Sequence, residues 1–118
     1  MSTVAKKVRD SVSSSLQAFG LNCQVRVVNN SVVVDEELLR IYIRVLPLPG
    51  NVRVEMSNIS FHDESLKRKG IFTHIMSELS KIDDIADLTV TCVLTDEMRN
   101  WCLKNRCTLV GTNDYKYK

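Results

Sequence analysis

Apolar residues recur every three to four positions near the N-terminus and at alternate positions over much of the chain that follows. The first pattern predicts an amphipathic helix over residues 3–19, ended by Gly20. Its serine-rich outer face has low helix propensity, so packing against the rest of the protein must stabilise it. The predicted apolar face consists of Val4, Val8, Val12, Leu16 and Phe19.

Two β-branched runs, Cys23–Val28 and Val32–Asp35, flank the residues Asn29, Asn30 and Ser31. Asparagine tolerates the positive φ angles that tight hairpin turns require. We therefore predict a β-hairpin over this segment.

The next segment has two interpretations. Apolar and polar residues alternate from Leu38 to Val45, which is typical of a half-buried strand. A helix from Asp35 through Tyr42 is the alternative, since three acidic residues would form a good first turn. The β-branched residues favour the strand. A break follows at residues 46–50, where proline and glycine favour a tight connection.

The second half of the chain predicts strands and helices in turn. A strand over 51–60 should bury Val52, Val54, Met56 and Asn58 on one side, with Arg53, Glu55, Ser57 and Ile59 on the other. A helix over 70–81 follows, and the run Val90–Leu94 reads as a central strand covered on both faces. The remaining elements are a helix near 98–105 capped by Asp96, a strand over Cys107–Gly111, and a tail from Asn113 that is either a short strand or loose. This order predicts an α/β fold in which helices flank a mixed, mostly antiparallel central sheet.

The stretch before the second helix carries the clearest functional signal. Lys67, Arg68 and Lys69 precede Gly70, which opens the helix. The first turn of a helix has unpaired N–H groups and a partial positive charge, so it attracts anions. A glycine lets a phosphate approach the backbone closely. The alternative is a basic loop followed by an ordinary helix.

The run from Lys67 to Phe72 resembles the acyl-CoA pyrophosphate loop of the GNAT N-acetyltransferase superfamily, whose pattern is Arg/Gln-x-x-Gly-x-Gly/Ala. The order of elements from about residue 50 to 112 is also similar to that family. The resemblance implies a single GNAT-like acyl-CoA-binding domain over residues 1–118, with acetyl-CoA as substrate and an unidentified amine as acceptor. In that comparison the cofactor-binding residues are Ile59, Ser60, Lys67, Arg68, Lys69, Gly70, Ile71, Phe72 and Thr73.

The resemblance also suggests catalytic candidates. Glu55, on the strand before the loop, is a candidate general base or else an ion-paired strand residue. Cys102 occupies the position of a tyrosine that protonates the departing thiolate in many members; its alternative is a buried helix cysteine. Phe72, Arg106 and Cys107 depart from the family pattern. These departures leave a second reading open, a catalytically inactive protein-binding or inhibitory module of the kind that small viral proteins often form.

Composition narrows the remaining choices. The 118 residues suit one domain, and the net charge of +2, with no aromatics among the cations of the loop, argues against nucleic-acid binding. His62 and His74 lack ligand-spaced neighbours, so we expect no metal. The four cysteines show no Cys-x-x-Cys spacing, and Cys23 and Cys92, which fall in strand-like runs, are predicted to be small buried hydrophobes. These free thiols, together with the absence of a signal-like or membrane-spanning run, predict a cytoplasmic protein. The protein partner, if any, stays open; Trp101 is either core or the edge of a homodimer contact.

Overall fold

The computed structural model describes residues 3–48 and 51–118. Three helices, a short 3₁₀ helix at Glu64–Leu66 and seven strands alternate along this part of the chain. The helices are α1 (Thr3–Ala18), α2 (Ile71–Ser80) and α3 (Asp96–Lys104). The strands are β1 (Arg26–Val28), β2 (Ser31–Asp35), β3 (Leu39–Leu48), β4 (Asn51–Phe61), β5 (Ile85–Val90), β6 (Thr108–Leu109) and β7 (Tyr115–Lys116).

The strands form one sheet in the order β1-β2-β3-β4-β5-β7-β6. Within the described residues, β4 and β5 form the one parallel pair, and every other neighbouring pair is antiparallel. The α2 helix connects the two parallel strands, as a parallel pair requires a crossover. The predicted α/β class, with a mixed and mostly antiparallel sheet flanked by helices, is confirmed.

The core lies where α1 and α2 pack together and against the sheet. The predicted apolar face of α1 is confirmed, since Val8, Val12 and Leu16 are almost fully buried. The helix ends at Ala18, and Gly20 follows it with φ +76°. From the sheet, β2 to β4 contribute alternate side chains to the same core, namely Val32, Val34, Leu39, Ile41, Ile43, Val45, Val54 and Met56.

The predicted hairpin is confirmed, with Val28 opposite Ser31 and Asn29 at φ +57°. Its first strand is shorter than predicted. It begins at Arg26, so Cys23 lies in the preceding coil and is only partly buried.

The strand interpretation of the following segment is confirmed, and the alternative helix is wrong. The predicted break starts too early, because β3 continues through Pro47 to Leu48. The predicted tight connection to the next strand is confirmed, since Leu48 pairs with Asn51 of β4. The neighbouring strand β2 pairs with β3 only up to Arg44, so Pro47 of β3 pairs with β4 alone. A proline is tolerated where a strand has one free side, since its missing N–H then costs no ladder bond. Pro49 and Gly50, the rest of the predicted break, lie outside the described residues.

A β-bulge in β4 changes which of its side chains are buried. Met56 pairs with Ile43 and Asn58 pairs with Tyr42, so Ser57 has no partner in the register. The extra residue reverses the alternation. Predicted burial of Val54 and Met56 is therefore correct, whereas Asn58 is exposed and Ile59 packs against the core.

Strand β5 ends earlier than the sequence predicted. Its residues are Ile85–Val90, and the chain then turns at Cys92, which has φ +55° and is exposed. The predictions of a central strand over Val90–Leu94 and of a buried Cys92 are therefore wrong. The last three residues of β5, Leu88, Thr89 and Val90, are all buried, so cover on both faces occurs in the strand just before the predicted run.

The last elements differ from the predictions in detail. The α3 helix begins at Asp96, and its N-cap is Thr95, whose hydroxyl accepts from the Met98 N–H at 3.2 Å. The predicted capping role of Asp96 is therefore wrong. The strand over Cys107–Gly111 is reduced to two residues, and the tail is a short strand that lies between β5 and β6.

Candidate functional site

The parallel strands β4 and β5 separate partway along their length. Their pairing ends where Met56 lies opposite Val90, with a last bond of 3.1 Å from the Thr91 N–H to the Met56 carbonyl. Beyond that point β4 continues to Phe61, paired with β3 only. The side of β4 that faces away from β3 is consequently unpaired over its last residues.

A cavity of about 660 Å³ opens at this separation. Three segments build its walls: the end of β4, the loop and first turn of α2, and one side of α3. The lining residues are Ile59, Ser60, Phe61, Leu66, Lys67, Arg68, Gly70, Ile71, Phe72, Thr73, Thr95, Glu97, Met98, Asn100, Trp101 and Lys104.

The N-terminus of α2 opens onto this cavity. Gly70 is its N-cap at φ +80° and supplies no side-chain cap, and the first N–H with an intrahelical partner is that of His74, bonded to the Gly70 carbonyl at 2.9 Å. The N–H groups of residues 71–73 therefore remain available to a ligand. A Cβ built on Gly70 would meet no atom within 4 Å, so the space in front of the helix is open.

The basic loop places cations at the same end of the cavity. Arg68 has φ +64°, a left-handed conformation that is unfavourable for an arginine. Lys67 also lines the cavity, and its Nζ lies 3.1 Å from the Glu64 carboxylate. Lys104 contributes a further positive charge from the α3 side. Together with the helix N-terminus, these groups favour an anionic ligand.

The α3 wall is joined to α2 by Trp101. Its indole Nε1 donates to the Thr73 hydroxyl at 2.9 Å, and its ring centroid lies 4.4 Å from that of Phe72. On its other side Trp101 stacks on Tyr117, with centroids 5.8 Å apart. These contacts fix the distance between the two helices that enclose the cavity.

The structure brings together the residues that the sequence predicted to bind a cofactor. All of them line the cavity except Lys69, which is exposed and interacts electrostatically with Asp63. The pKa of Asp63 is lowered, chiefly because its carboxylate accepts the Ser65 backbone N–H. Sequence reasoning missed the role of Trp101 and the contribution of Asn100 and Lys104. The spacing of α3 residues reveals its apolar face, but a face that packs against a core and one that lines a cavity give the same pattern.

The two catalytic candidates lie outside the cavity lining. The Glu55 side chain is only 12% exposed, and its carboxylate oxygens lie 3.5 Å from the Arg44 guanidinium and 3.4 Å from the Arg53 guanidinium. Cys102 is fully buried, and burial beside Cys107 raises the pKa of its thiol to about 12. These surroundings support the ion-paired interpretation of Glu55 and the packing interpretation of Cys102.

The histidines are separate from the cavity. His62 Nδ1 lies 3.0 Å from the Glu37 carbonyl, and His74 Nε2 lies 3.9 Å from the Glu78 carboxylate. Among residues 3–48 and 51–118, no three His, Cys, Asp or Glu side chains are grouped so that they could hold a metal ion.

In the same part of the chain, no helix has the length and apolar character needed to cross a membrane. Comparison of the sequence with models of protein families and with curated proteins gives no match.

Proposed function

We propose that this chain is a GNAT-like acyl-CoA-binding domain that transfers an acetyl group from acetyl-CoA to an amine. The observation that carries the proposal is the position of the α2 N-terminus. Its unpaired N–H groups, next to Arg68 and Lys67, open onto a cavity at the separation of β4 and β5. Phosphate groups, including those of a pyrophosphate, bind readily at such a helix start.

The remaining parts of acetyl-CoA fit the same cavity. The pantetheine arm is an extended chain with two amide groups, and the unpaired side of β4 near Ile59 and Ser60 presents backbone groups to pair with them. Lys104 stands on the opposite wall, where it would meet the phosphorylated ribose end. The cavity volume of about 660 Å³ lies within the range of small-molecule sites.

The chemistry requires little from side chains. The amine nitrogen attacks the thioester carbon, a backbone N–H at the unpaired side of β4 stabilises the oxyanion, and the C–S bond then breaks as the amide forms. The ammonium proton passes to solvent. A thiol with a pKa of about 8.5 leaves readily as thiolate, so the burial of Cys102 does not block the reaction.

A second candidate function is supported by the same site. Neither Glu55 nor Cys102 lines the cavity, and Glu97, at the exposed start of α3, is the one carboxylate among the described lining residues. A protein that retains cofactor binding and lacks efficient proton transfer would act as a binding or inhibitory module for another protein.

Calorimetric titration with acetyl-CoA, CoA and ATP tests cofactor binding. The critical variant is Gly70→Glu, which places a carboxylate in front of the helix where the pyrophosphate should lie. Gly20→Glu is its matched control, because Gly20 also has positive φ and open space around its Cβ position, away from the cavity. We expect both variants to lose stability through the same backbone strain, and only Gly70→Glu to abolish binding of CoA.

Two results would decide against the proposal. Binding of acetyl-CoA that is unaffected by Gly70→Glu would place the ligand elsewhere. Millimolar acetyl-CoA that leaves the melting temperature unchanged would exclude a specific complex, since a ligand of the native state stabilises it by RT ln(1 + [L]/Kd). Binding without release of CoA in the presence of diverse amines would favour the binding module over the enzyme.

A further inference from the structure

One face of the sheet carries a set of arginines that the cofactor cavity does not use. Side chains on β1, β3 and β4 that alternate with the buried ones point away from the core. We call this surface the open face, defined by Arg26, Arg40, Tyr42, Arg44, Arg53 and Glu55.

The register places these side chains close together. On β3, Arg40 and Arg44 lie on either side of Tyr42, which is 39% exposed. Arg26 belongs to the same row as Tyr42, through Val33 of the intervening strand. Because adjacent strands are about 4.8 Å apart, β1 to β4 span about 14 Å across the sheet.

Positive charge predominates on the open face. Arg44 and Arg53 share a single carboxylate, that of Glu55, which is largely covered. Arg40 forms an ion pair with Asp35, whose Oδ1 lies 3.2 Å from the arginine Nε. Arg26 is exposed, and no described residue forms an ion pair with it. Asp87 of β5 lies beside Arg53 in the register, so Arg26 is the guanidinium of this surface that has no acidic partner among the described residues.

The open face adjoins the point where acetyl transfer would occur. Tyr42 pairs with Asn58, which lies two residues beyond Met56, the last residue of β4 that pairs with β5. An acceptor bound across the open face would thus end beside the separation of the strands. The thioester of a bound acetyl-CoA belongs at the same place, because its pyrophosphate is held at the other end of the cavity.

We propose that the open face binds an acidic peptide segment and that this segment presents the amine to be acetylated. The surface is too wide for a single amino acid, whereas a segment of four extended residues is about 13 Å long and matches it. Exposed arginines recognise carboxylates with paired donors. The acceptor role rests on the proposed function, whereas binding of the acidic segment is measured without it.

Fluorescence anisotropy of C-terminally labelled peptides with free N-termini tests the proposal. Three peptides of equal length are compared: one rich in Asp and Glu, one with amides in their place, and one rich in Lys. We expect the acidic peptide to bind most tightly and Arg26→Glu to weaken it by about fivefold, since each exposed charge contributes about 0.2–1 kcal/mol. Lys6→Glu, an equal charge change at an exposed position of α1, should alter binding less than twofold.

Different results would refute the binding of an acidic peptide and its role as the acceptor. Equal affinity for all three peptides would overturn the inference. So would a Lys6→Glu variant that weakens binding of the acidic peptide as much as Arg26→Glu does. Tighter binding of a single-stranded oligonucleotide than of the acidic peptide, with the same sensitivity to Arg26→Glu, would assign the surface to nucleic acid and overturn it as well. A bound acidic peptide that is not acetylated, although acetyl-CoA binds and other amines react, would refute its role as acceptor and leave the proposed function intact.

Discussion

The indole Nε1 of Trp101 donates a hydrogen bond of 2.9 Å to the Oγ1 of Thr73, which joins α3 to the first turn of α2. The two residues belong to opposite walls of the cavity. Their hydrogen bond therefore sets the width of the proposed cofactor site, and the Phe72 ring, whose centroid lies 4.4 Å from that of Trp101, holds the indole in place beside it.

A double-mutant cycle tests this coupling. Trp101→Phe keeps an aromatic ring against Phe72 and loses the donor, while Thr73→Val keeps the shape and loses the acceptor. Each change should reduce the affinity for acetyl-CoA by about two- to tenfold, as expected for a net loss of about 0.5–1.5 kcal/mol. The double variant should bind about as well as either single one. Additive losses would mean that the two residues act independently.

Replacing the left-handed arginines by glycine separates stability from binding. Arg68 and Arg106 have φ values of +64° and +60°, which cost an arginine about 1 kcal/mol relative to glycine. Arg68→Gly and Arg106→Gly should therefore both raise the urea midpoint. Only Arg68→Gly should reduce the affinity for acetyl-CoA, because Arg106 lies outside the cavity. A loss of affinity in both variants would indicate a general effect of charge.

Cys102→Ala tests the packing interpretation directly. The thiol is fully buried, so its removal should lower the free energy of unfolding by about 1–2 kcal/mol. Cys92→Ala, at an exposed position, should change it little. Activity per folded molecule should be unchanged in both variants. A large loss of turnover in a stably folded Cys102→Ala protein would instead support a catalytic thiol.

The raised pKa of Cys102 predicts a specific dependence of stability on pH. Burial raises that pKa from 9.0 to about 12, so the unfolded chain loses the thiol proton at lower pH than the native protein does. The contribution of this group to stability is complete below pH 9 and is lost as the pH rises toward 12. The difference in stability between the parent and Cys102→Ala should therefore shrink over this interval. At pH 8, iodoacetamide should modify Cys92 first, and equal labelling of Cys102 would contradict the burial.

The sequence predicted those features that depend on local pattern. The spacing of apolar residues in α1 and the glycine before α2 are signals within one turn of helix, and both lie where they were expected. The residues of the loop and of the α2 start, except Lys69, also line the cavity. Long-range features were missed: the bulge at Ser57 depends on pairing with β3, and Pro47 is tolerated because β2 ends before it.

The errors in the C-terminal third have a similar origin. The run from Val90 to Leu94 has strong β propensity, yet the chain leaves the sheet after Val90, where the pairing of β5 with β4 also ends. The core interpretation of Trp101 is confirmed, since it packs against the core, but its second position in the wall of the cavity was not foreseen. No pattern in a single sequence distinguishes an apolar side chain that covers a sheet from one that lines a ligand cavity.

The bulge at Ser57 determines which side chains of β4 face the open face and which face the core. On one side of it β4 directs Arg53 and Glu55 to the open face, and on the other side it directs Ile59 and Phe61 to the core. Deleting Ser57 would turn one half of the strand over, exposing apolar side chains or burying the charges of the arginine network. A single insertion or deletion anywhere between Val52 and Phe61 would have the same effect, so this segment should evolve by substitution and not by changes in length.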